Sequence, residues 1–335
     1  MAKPAKILVI RFSAMGDVAM TAPVLKDFRL SYPNIELLIV SRPFFKPFFS
    51  EIPNAVFHTF DPKQTHKGFF GLIKLFLELR AQHVTAVADL HNNLRSKILS
   101  LLFFITGIRS VKVDKGRKEK KLLTRKENKV LIPLKLTVQR YAKVFEKLGY
   151  PFDLRNSFTF RTAKVTKSQK YIGVSPFAQH FQKVYPLNKM ENVILTLADL
   201  GHQLFIFGGS EEERRTAENW ADKHANITSM VQKVNLEEEL ALISNLDVML
   251  SMDSSGMHLA SLKNIPVVSV WGATHPYAGF LGYGQSINDA VQINLYCRPC
   301  SVYGNVPCYR GDFACMNNLP ETIVVAKVLE KLKDE

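Results

Sequence analysis

The stretch that most constrains the fold spans residues 246–272. Residues 248–251 and 266–270 are short apolar runs rich in β-branched side chains, and the segment between them has room for a brief helix. The whole reads as strand, turn, helix, strand. Such a crossover is right-handed, and it sets the loop after its first strand at the carboxyl edge of a parallel sheet, where open α/β folds bind ligands. That loop, Met252-Asp253-Ser254-Ser255-Gly256, is small and polar and opens the helix carrying Met257, His258 and Leu259. Free amides and the helix dipole make its start an anion site, and Ser255 and Gly256 let a phosphate approach the backbone. Asp253 repels phosphate but suits hydroxyl groups, so the loop points to a ligand carrying both phosphate and sugar. As isolated residues, Asp253 or Ser254 would be a helix N-cap and His258 a packed histidine.

The same alternation begins the chain. Residues 6–11 form a buried-type strand, and the turn over 12–18 holds a single glycine, Gly16, where a dinucleotide fingerprint would space three. Pro23 suits the first turn of a helix running to about Leu30, which leaves Asp17 in or near the loop. Strands are expected over 35–41, 55–59 and 85–90, with an amphipathic helix over 71–80. The third strand ends in Asp89, and His91-Asn92-Asn93-Leu94-Arg95-Ser96 leads into a helix over 98–105. A parallel sheet would bring Asp17, Asp89 and Arg95 to one edge.

At 335 residues the length favours two domains, and 44 Lys plus Arg against 30 Asp plus Glu leaves a net charge of +14. An anionic partner follows from that bias, be it phosphorylated ligand, acidic lipid or nucleic acid. The most basic stretch, residues 111–129, includes Lys118, Lys120 and Lys121 and lacks interleaved aromatics. It suits phosphates or an anionic membrane surface better than stacked bases. No apolar segment precedes the first strand, and the run 98–105 is too short to span a bilayer. A cytosolic protein that visits a membrane surface is expected. A helix over 137–148 ends at Gly149, and the poorly periodic residues 152–168 are placed as the domain linker.

The second half resumes the rhythm. A strand over 171–175 leads to a long loop with Gln179 and Lys183, then a helix over 190–200. A strand over 203–207 is followed by Gly208-Gly209-Ser210-Glu211-Glu212, where two glycines permit close backbone approach and a glutamate at a helix start can hold ribose hydroxyls. A helix over 236–244 returns the chain to the 246–272 unit.

Four sets of residues carry a family resemblance. They are Arg11-x-Ser13-x-x-Gly16-Asp17-Val18-x-x-Thr21-x-Pro23-x-Leu25, Lys183-x-Tyr185-Pro186, Gly208-Gly209-x-x-Glu212, and Asp253-Ser254-Ser255-Gly256-Met257-His258-Leu259-Ala260 with Pro266 and Gly272-Ala273-Thr274-x-Pro276. In this order they resemble glycosyltransferase family 9, the lipopolysaccharide heptosyltransferases. The resemblance implies a GT-B fold of two Rossmann-like domains facing across a cleft. An acceptor domain would cover residues 1–160 and a nucleotide-sugar domain 161–320, with a terminal helix over 321–335 crossing back. It further implies inverting transfer from ADP-L-glycero-β-D-manno-heptose to the inner core of lipopolysaccharide, onto Kdo-lipid A or heptosyl-Kdo-lipid A, with no cofactor or metal required.

Carried over by motif, Asp17 matches the general base, Lys183 the diphosphate lysine, Glu212 a ribose contact and Asp253 a heptose contact. Gln179, Ser254, Ser255, Gly256 and His258 surround the donor, and Val234 meets the adenine through its backbone. On the acceptor side stand Ser13, Gly16, Asp89, Asn92 and Arg95, with His91 where glutamine is common. Lys118, Lys120 and Lys121 would face the acidic lipid. Tyr185 replaces the usual tryptophan and Ser254 the frequent threonine. All four cysteines, Cys297, Cys300, Cys308 and Cys315, cluster late in the chain, a pattern open to a thiolate zinc site or to reduced packing thiols. Two rivals stand beside this reading: transfer of another sugar from another nucleotide, and nucleic-acid binding, which rests on charge alone.

Overall fold

The computed structural model describes residues 5–155 and 167–333. Most of the linker expected over 152–168 lies outside the described residues. The chain divides into two compact units: Met1–Lys115 with Thr137–Asn156, and Gly116–Leu136 with Ser157–Glu335.

The first unit opens with strand β1 (Lys6–Ile10), a short helix α1 (Met15–Ala19) and α2 (Thr21–Ser31). Strands β2 (Glu36–Ser41) and β3 (Ala55–Thr59) follow, then helix α3 (Gly68–Arg80). Strand β4 (Ala86–Asp89), helix α4 (Leu94–Ile105) and strand β5 (Arg109–Lys112) complete the sheet, in order β3-β2-β1-β4-β5. All pairings are parallel, with Ile7 opposite both Leu37 and Ala86. The four apolar residues of β1 and the four of β2 are buried because helices cover both faces, as an all-parallel sheet requires. α3 and α4 pack on one face through Leu72, Leu75, Leu79, Leu99 and Phe103.

The chain then forms α5 (Arg117–Leu123) and α6 (Thr137–Leu148). α6 packs against α2 in the first unit, through rings such as Phe28 and Phe145 at 4.6 Å. Residues 116–136, placed by sequence in the first domain, instead belong to the second unit. Lys129 Nζ donates to the Pro299 carbonyl at 2.7 Å, and the Leu134 amide donates to the Tyr277 carbonyl at 2.9 Å.

The second unit contains β6 (Tyr171–Ser175), α7 (Leu187–Asp199), β7 (Gln203–Ile206), α8 (Glu211–Ala221) and β8 (Ile227–Ser229). Next come α9 (Leu236–Ile243), β9 (Val248–Met252), α10 (Ser255–Leu262), β10 (Val267–Val270) and β11 (Ala290–Val291). Two last helices follow, α11 (Ala314–Asn317) and α12 (Glu321–Lys333). The parallel sheet runs β11-β10-β9-β6-β7-β8. The 246–272 unit forms the expected crossover, β9-α10-β10, with Ser251 paired to Ser269. α12 packs on α7 and on β9 to β11 of its own unit, where Val324, Val328 and Leu332 are buried in the core. No helix among the described residues is long and apolar enough to cross a membrane.

Strand order reverses beside the first strand of each sheet, so the loops after β1 and β4 are neighbours in one unit and those after β6 and β9 in the other. Such switch points are where open α/β sheets leave a crevice at their carboxyl edge.

Candidate active site

In the second unit the switch point brings Lys183, on the loop after β6, to Asp253, on the loop after β9. Their Nζ and Oδ2 lie 3.0 Å apart, with side chains 16 % and 6 % exposed. The lysine stem is held from behind by Gly304 at φ +76°, where a Cβ would lie 2.4 Å from Lys183 Cγ. Asp253 immediately precedes Ser254, the residue at the N-terminus of α10. Ser254 makes no side-chain cap, and its buried Oγ has no partner among the described residues. Gly256 lets α10 press onto the sheet, because a Cβ there would lie 2.3 Å from Ser175 Oγ. His258 is buried inside α10, one of seven consecutive buried residues from Gly256 to Leu262. The helix start thus offers amide donors beside a fixed ammonium and carboxylate.

The glutamates after β7 divide their work. Glu213 turns back to accept from the Gly209 and Ser210 amides at 2.6 and 2.9 Å, completing a capping box. Glu211 pairs with Arg214 and Arg215. Exposed Glu212 has no ion pair or side-chain hydrogen bond among the described residues and so keeps its carboxylate for another partner. Gln232 Nε2 donates to the Gly209 carbonyl at 3.1 Å, which joins the glycine loop to the segment holding half-buried Val234. Gln179 is exposed.

In the first unit Arg11, at the end of β1, forms an ion pair with Asp17 and donates to the Leu90 carbonyl at 2.7 Å. Burial works against the Arg11 charge, but Asp17, Tyr141 and Asp89 outweigh it and leave the guanidinium above its ordinary value. Asp17 lies in α1 rather than in the expected loop, because the turn starts helical at Met15, ahead of α2. Its side chain is 31 % exposed, with Oδ2 facing Arg11. Ser13 and Gly16 flank it, both half-buried.

Asp89 is wholly internal to its loop. It accepts from the His91 and Asn92 amides at 2.9 and 2.7 Å and from Ser96 Oγ at 2.9 Å. Burial raises its pKa, against the pull of those hydrogen bonds. Asn92 takes φ +49° and donates to the Val113 carbonyl, so it shapes the turn as well. Burial, then Arg11 and other cations, hold His91 down to about 3, so it is neutral, and its Nδ1 accepts from the Phe12 amide. Arg95 is exposed at the start of α4.

The basic trio separates. Lys118 and Lys121 are exposed on α5, but Lys120 is buried with its ammonium 3.9 Å from the Phe280 ring centre. Cation-to-ring attraction inside the second unit therefore engages Lys120, not a solvated face.

The four free cysteines line one pocket with Arg298, Tyr309 and Phe313. Burial raises the Cys300 thiol and pushes Cys315 up to about 11. No three of their sulfurs gather at metal-binding range among the described residues; the donor group that does is His58, His66 and Glu78, within 4.8 Å. There the Asp61 amide donates to His66 Nδ1, which leaves the proton on Nε2, 3.0 Å from Glu78. His58 Nε2 meets the same oxygen at 3.0 Å. The trio is a hydrogen-bonded clasp between β3 and α3.

Arg11, Gly304 and Arg298 escaped the sequence reading as site builders. Arg298 donates to the carbonyls of Trp271, Thr274 and Ile293 and to Gln292 Oε1, which fixes the loop after β10. Arg11 closes a strand and stands six residues before Asp17, a usable signal; Gly304 and Arg298 act over distances no local pattern records.

A family model, glycosyltransferase family 9 (heptosyltransferase), matches residues 72–307. The lipopolysaccharide core heptosyltransferase OpsX of Haemophilus influenzae is 25 % identical over 293 residues, covering 82 % of this chain and 80 % of that protein. Among solved structures, a family 9 glycosyltransferase from Veillonella parvula superposes with a TM-score of 0.78 at 17 % identity, covering 100 % of this chain and 99 % of that one. The E. coli heptosyltransferase WaaC with ADP gives 0.72 at 20 % identity, over 97 % and 99 %. These two likenesses are of fold, GT-B.

Proposed function

Because the chain belongs to glycosyltransferase family 9, the heptosyltransferases, we propose that it moves heptose from ADP-L-glycero-β-D-manno-heptose to the Kdo-lipid A inner core of lipopolysaccharide, inverting the anomeric carbon. The observation that carries this reading is the Lys183–Asp253 pair seated at the amide end of α10. Lys183 and the α10 amides would take the diphosphate and stabilise charge on the departing ADP. Asp253 would accept from heptose hydroxyls, with Ser254, Ser255, Gly256, His258 and Gln179 around them. Glu212, free of the cap, would hold the ribose, and the backbone near Val234 the adenine.

Asp17 would remove the acceptor hydroxyl proton as that oxygen attacks from the face opposite the diphosphate. Arg11 orients the carboxylate through Oδ2. Ser13, Gly16, Asn92 and Arg95 would line the acceptor side, with Asp89 holding their loop in shape. Positive charge at the phosphates comes from the protein itself, so the scheme needs no metal. The work would be done at the cytoplasmic face of the inner membrane.

The test is thermal stabilisation against ADP-heptose, ADP, UDP and GDP, followed by transfer to Kdo-lipid A. ADP-heptose is expected to stabilise the wild type and Asp17→Ala alike, and Asp17→Ala is expected to lose about a thousandfold or more in kcat. Chelator should leave the rate unchanged. Preference for UDP or GDP would retain the family and remove the heptose donor.

A further inference from the structure

The outer faces of α3 and α4 carry large apolar side chains in water. Phe70 is 86 % and Ile105 71 % exposed, and Phe69, Leu77, Leu101 and Phe104 are each more than half exposed. They are not stray: the two helices lie side by side on one face of the first sheet, joined beneath by Phe76 against Phe103 at 5.0 Å. The inward stripe of each helix is already spent on the core, so folding of this unit gives the outward residues nothing to cover. Contiguous exposed apolar patches of this kind mark interaction surfaces.

Charge selects the partner. Exposed Lys74, Arg80, Arg95 and Lys97 are set among the apolar residues. Glu78 is the one carboxylate carried by either helix, and it is turned into the clasp with His58 and His66. Burial opposes its ionisation, yet the hydrogen bonds from His66 and His58 hold it below the ordinary glutamate value. The face is therefore cationic and apolar with no free acid. With 13 and 12 residues, both helices are too short to span a bilayer.

We propose that the α3–α4 face docks on an anionic lipid surface, Phe70 and its apolar neighbours entering the interface while the lysines and arginines meet lipid phosphates. This goes beyond the reading of the reaction and does not depend on it. It also moves the membrane contact away from residues 111–129, where sequence placed it and where Lys120 is buried against Phe280.

The experiment is co-sedimentation of the full chain with vesicles of phosphatidylglycerol and phosphatidylethanolamine, and with vesicles of phosphatidylcholine alone. Wild type should bind the anionic vesicles and keep part of that binding in high salt. Phe70→Glu/Ile105→Glu should lower partitioning about tenfold or more. Phe70→Ser serves as a milder variant, and Lys118→Glu/Lys121→Glu should bind nearly as wild type. An unchanged circular dichroism spectrum and a cooperative thermal melt for every variant show that the fold is intact, and neither readout involves the donor, which separates this test from that of the reaction. The proposal is overturned if wild type ignores anionic vesicles, if the patch variants bind as wild type, or if Lys118→Glu/Lys121→Glu alone abolishes binding. It is equally overturned if wild type is a dimer that the patch variants split, since a second copy would then own the face.

Discussion

Asp253 is a carboxylate with almost no access to water, and one lysine ammonium compensates it at 3.0 Å. Removing the lysine alone strands a buried charge, at a cost of about 3 kcal/mol, whereas removing both charges costs much less. Urea denaturation should therefore find Lys183→Met strongly destabilised and Lys183→Met/Asp253→Leu partly restored. A single-residue support is expected at Gly304, where alanine is strained at φ +76° and would push on the lysine stem. Gly304→Ala should raise the donor KM severalfold at a stability cost of about 1 kcal/mol, measured by kinetics beside a thermal melt. His91 sets a pH dependence. Folded, it stays neutral down to about 3; unfolded, it takes a proton near 6.5. The unfolded state thus binds more protons in that window, so stability is full above pH 6.5 and falls as pH drops toward 3, by up to roughly 3 kcal/mol at pH 4. His91→Gln should flatten the melting temperature between pH 4 and 6.

Among elements, α10 shows how closely a helix can be tied to its sheet. A Cβ at position 256 would enter Ser175, so Gly256→Ala should displace the helix start and cost about 1–3 kcal/mol, with donor stabilisation lost in proportion. The β9-α10-β10 unit was readable because apolar runs, a polar loop and a second apolar run alternate at the right lengths. Strand β3 and helix α6 likewise lie where local pattern put them. Pro23 does sit in the first turn of α2, which begins at Thr21; Asp17 lies outside the expected loop because α1, a separate five-residue helix ahead of α2, has no local signal of its own. Glu212 and Glu213 are indistinguishable by local sequence. Only the closing of the capping box on Glu213 frees its neighbour.

At the scale of the molecule, both sheets put their polar loops at a reversal of strand order, and this much follows from parallel pairing and right-handed crossovers. The membership of residues 116–136 could not be read so, since it depends on bonds to Pro299 and Tyr277, more than a hundred residues away. The outward face of α3 was hidden for a related reason: an amphipathic period marks the side that packs, not what the other side carries. If the second unit binds the nucleotide sugar, hydrogen exchange should slow on its addition within residues 176–186, 208–213, 230–235 and 253–258. Little change should follow in the first unit, and saturation at a hundredfold excess over Kd should add about 2.7 kcal/mol of stability.

The Lys183–Asp253 contact also decides what kind of event binding is. An anion reaching this lysine does not settle on a bare charge; it swaps itself for a carboxylate already in place. Its affinity is the difference between two pairings, so inorganic phosphate gains little, because its own negative charge repels the displaced Asp253. A ligand that brought hydroxyl groups along with its phosphates would satisfy both halves of the separated pair, and under the proposed reaction the site would select the combination where neither part alone would suffice.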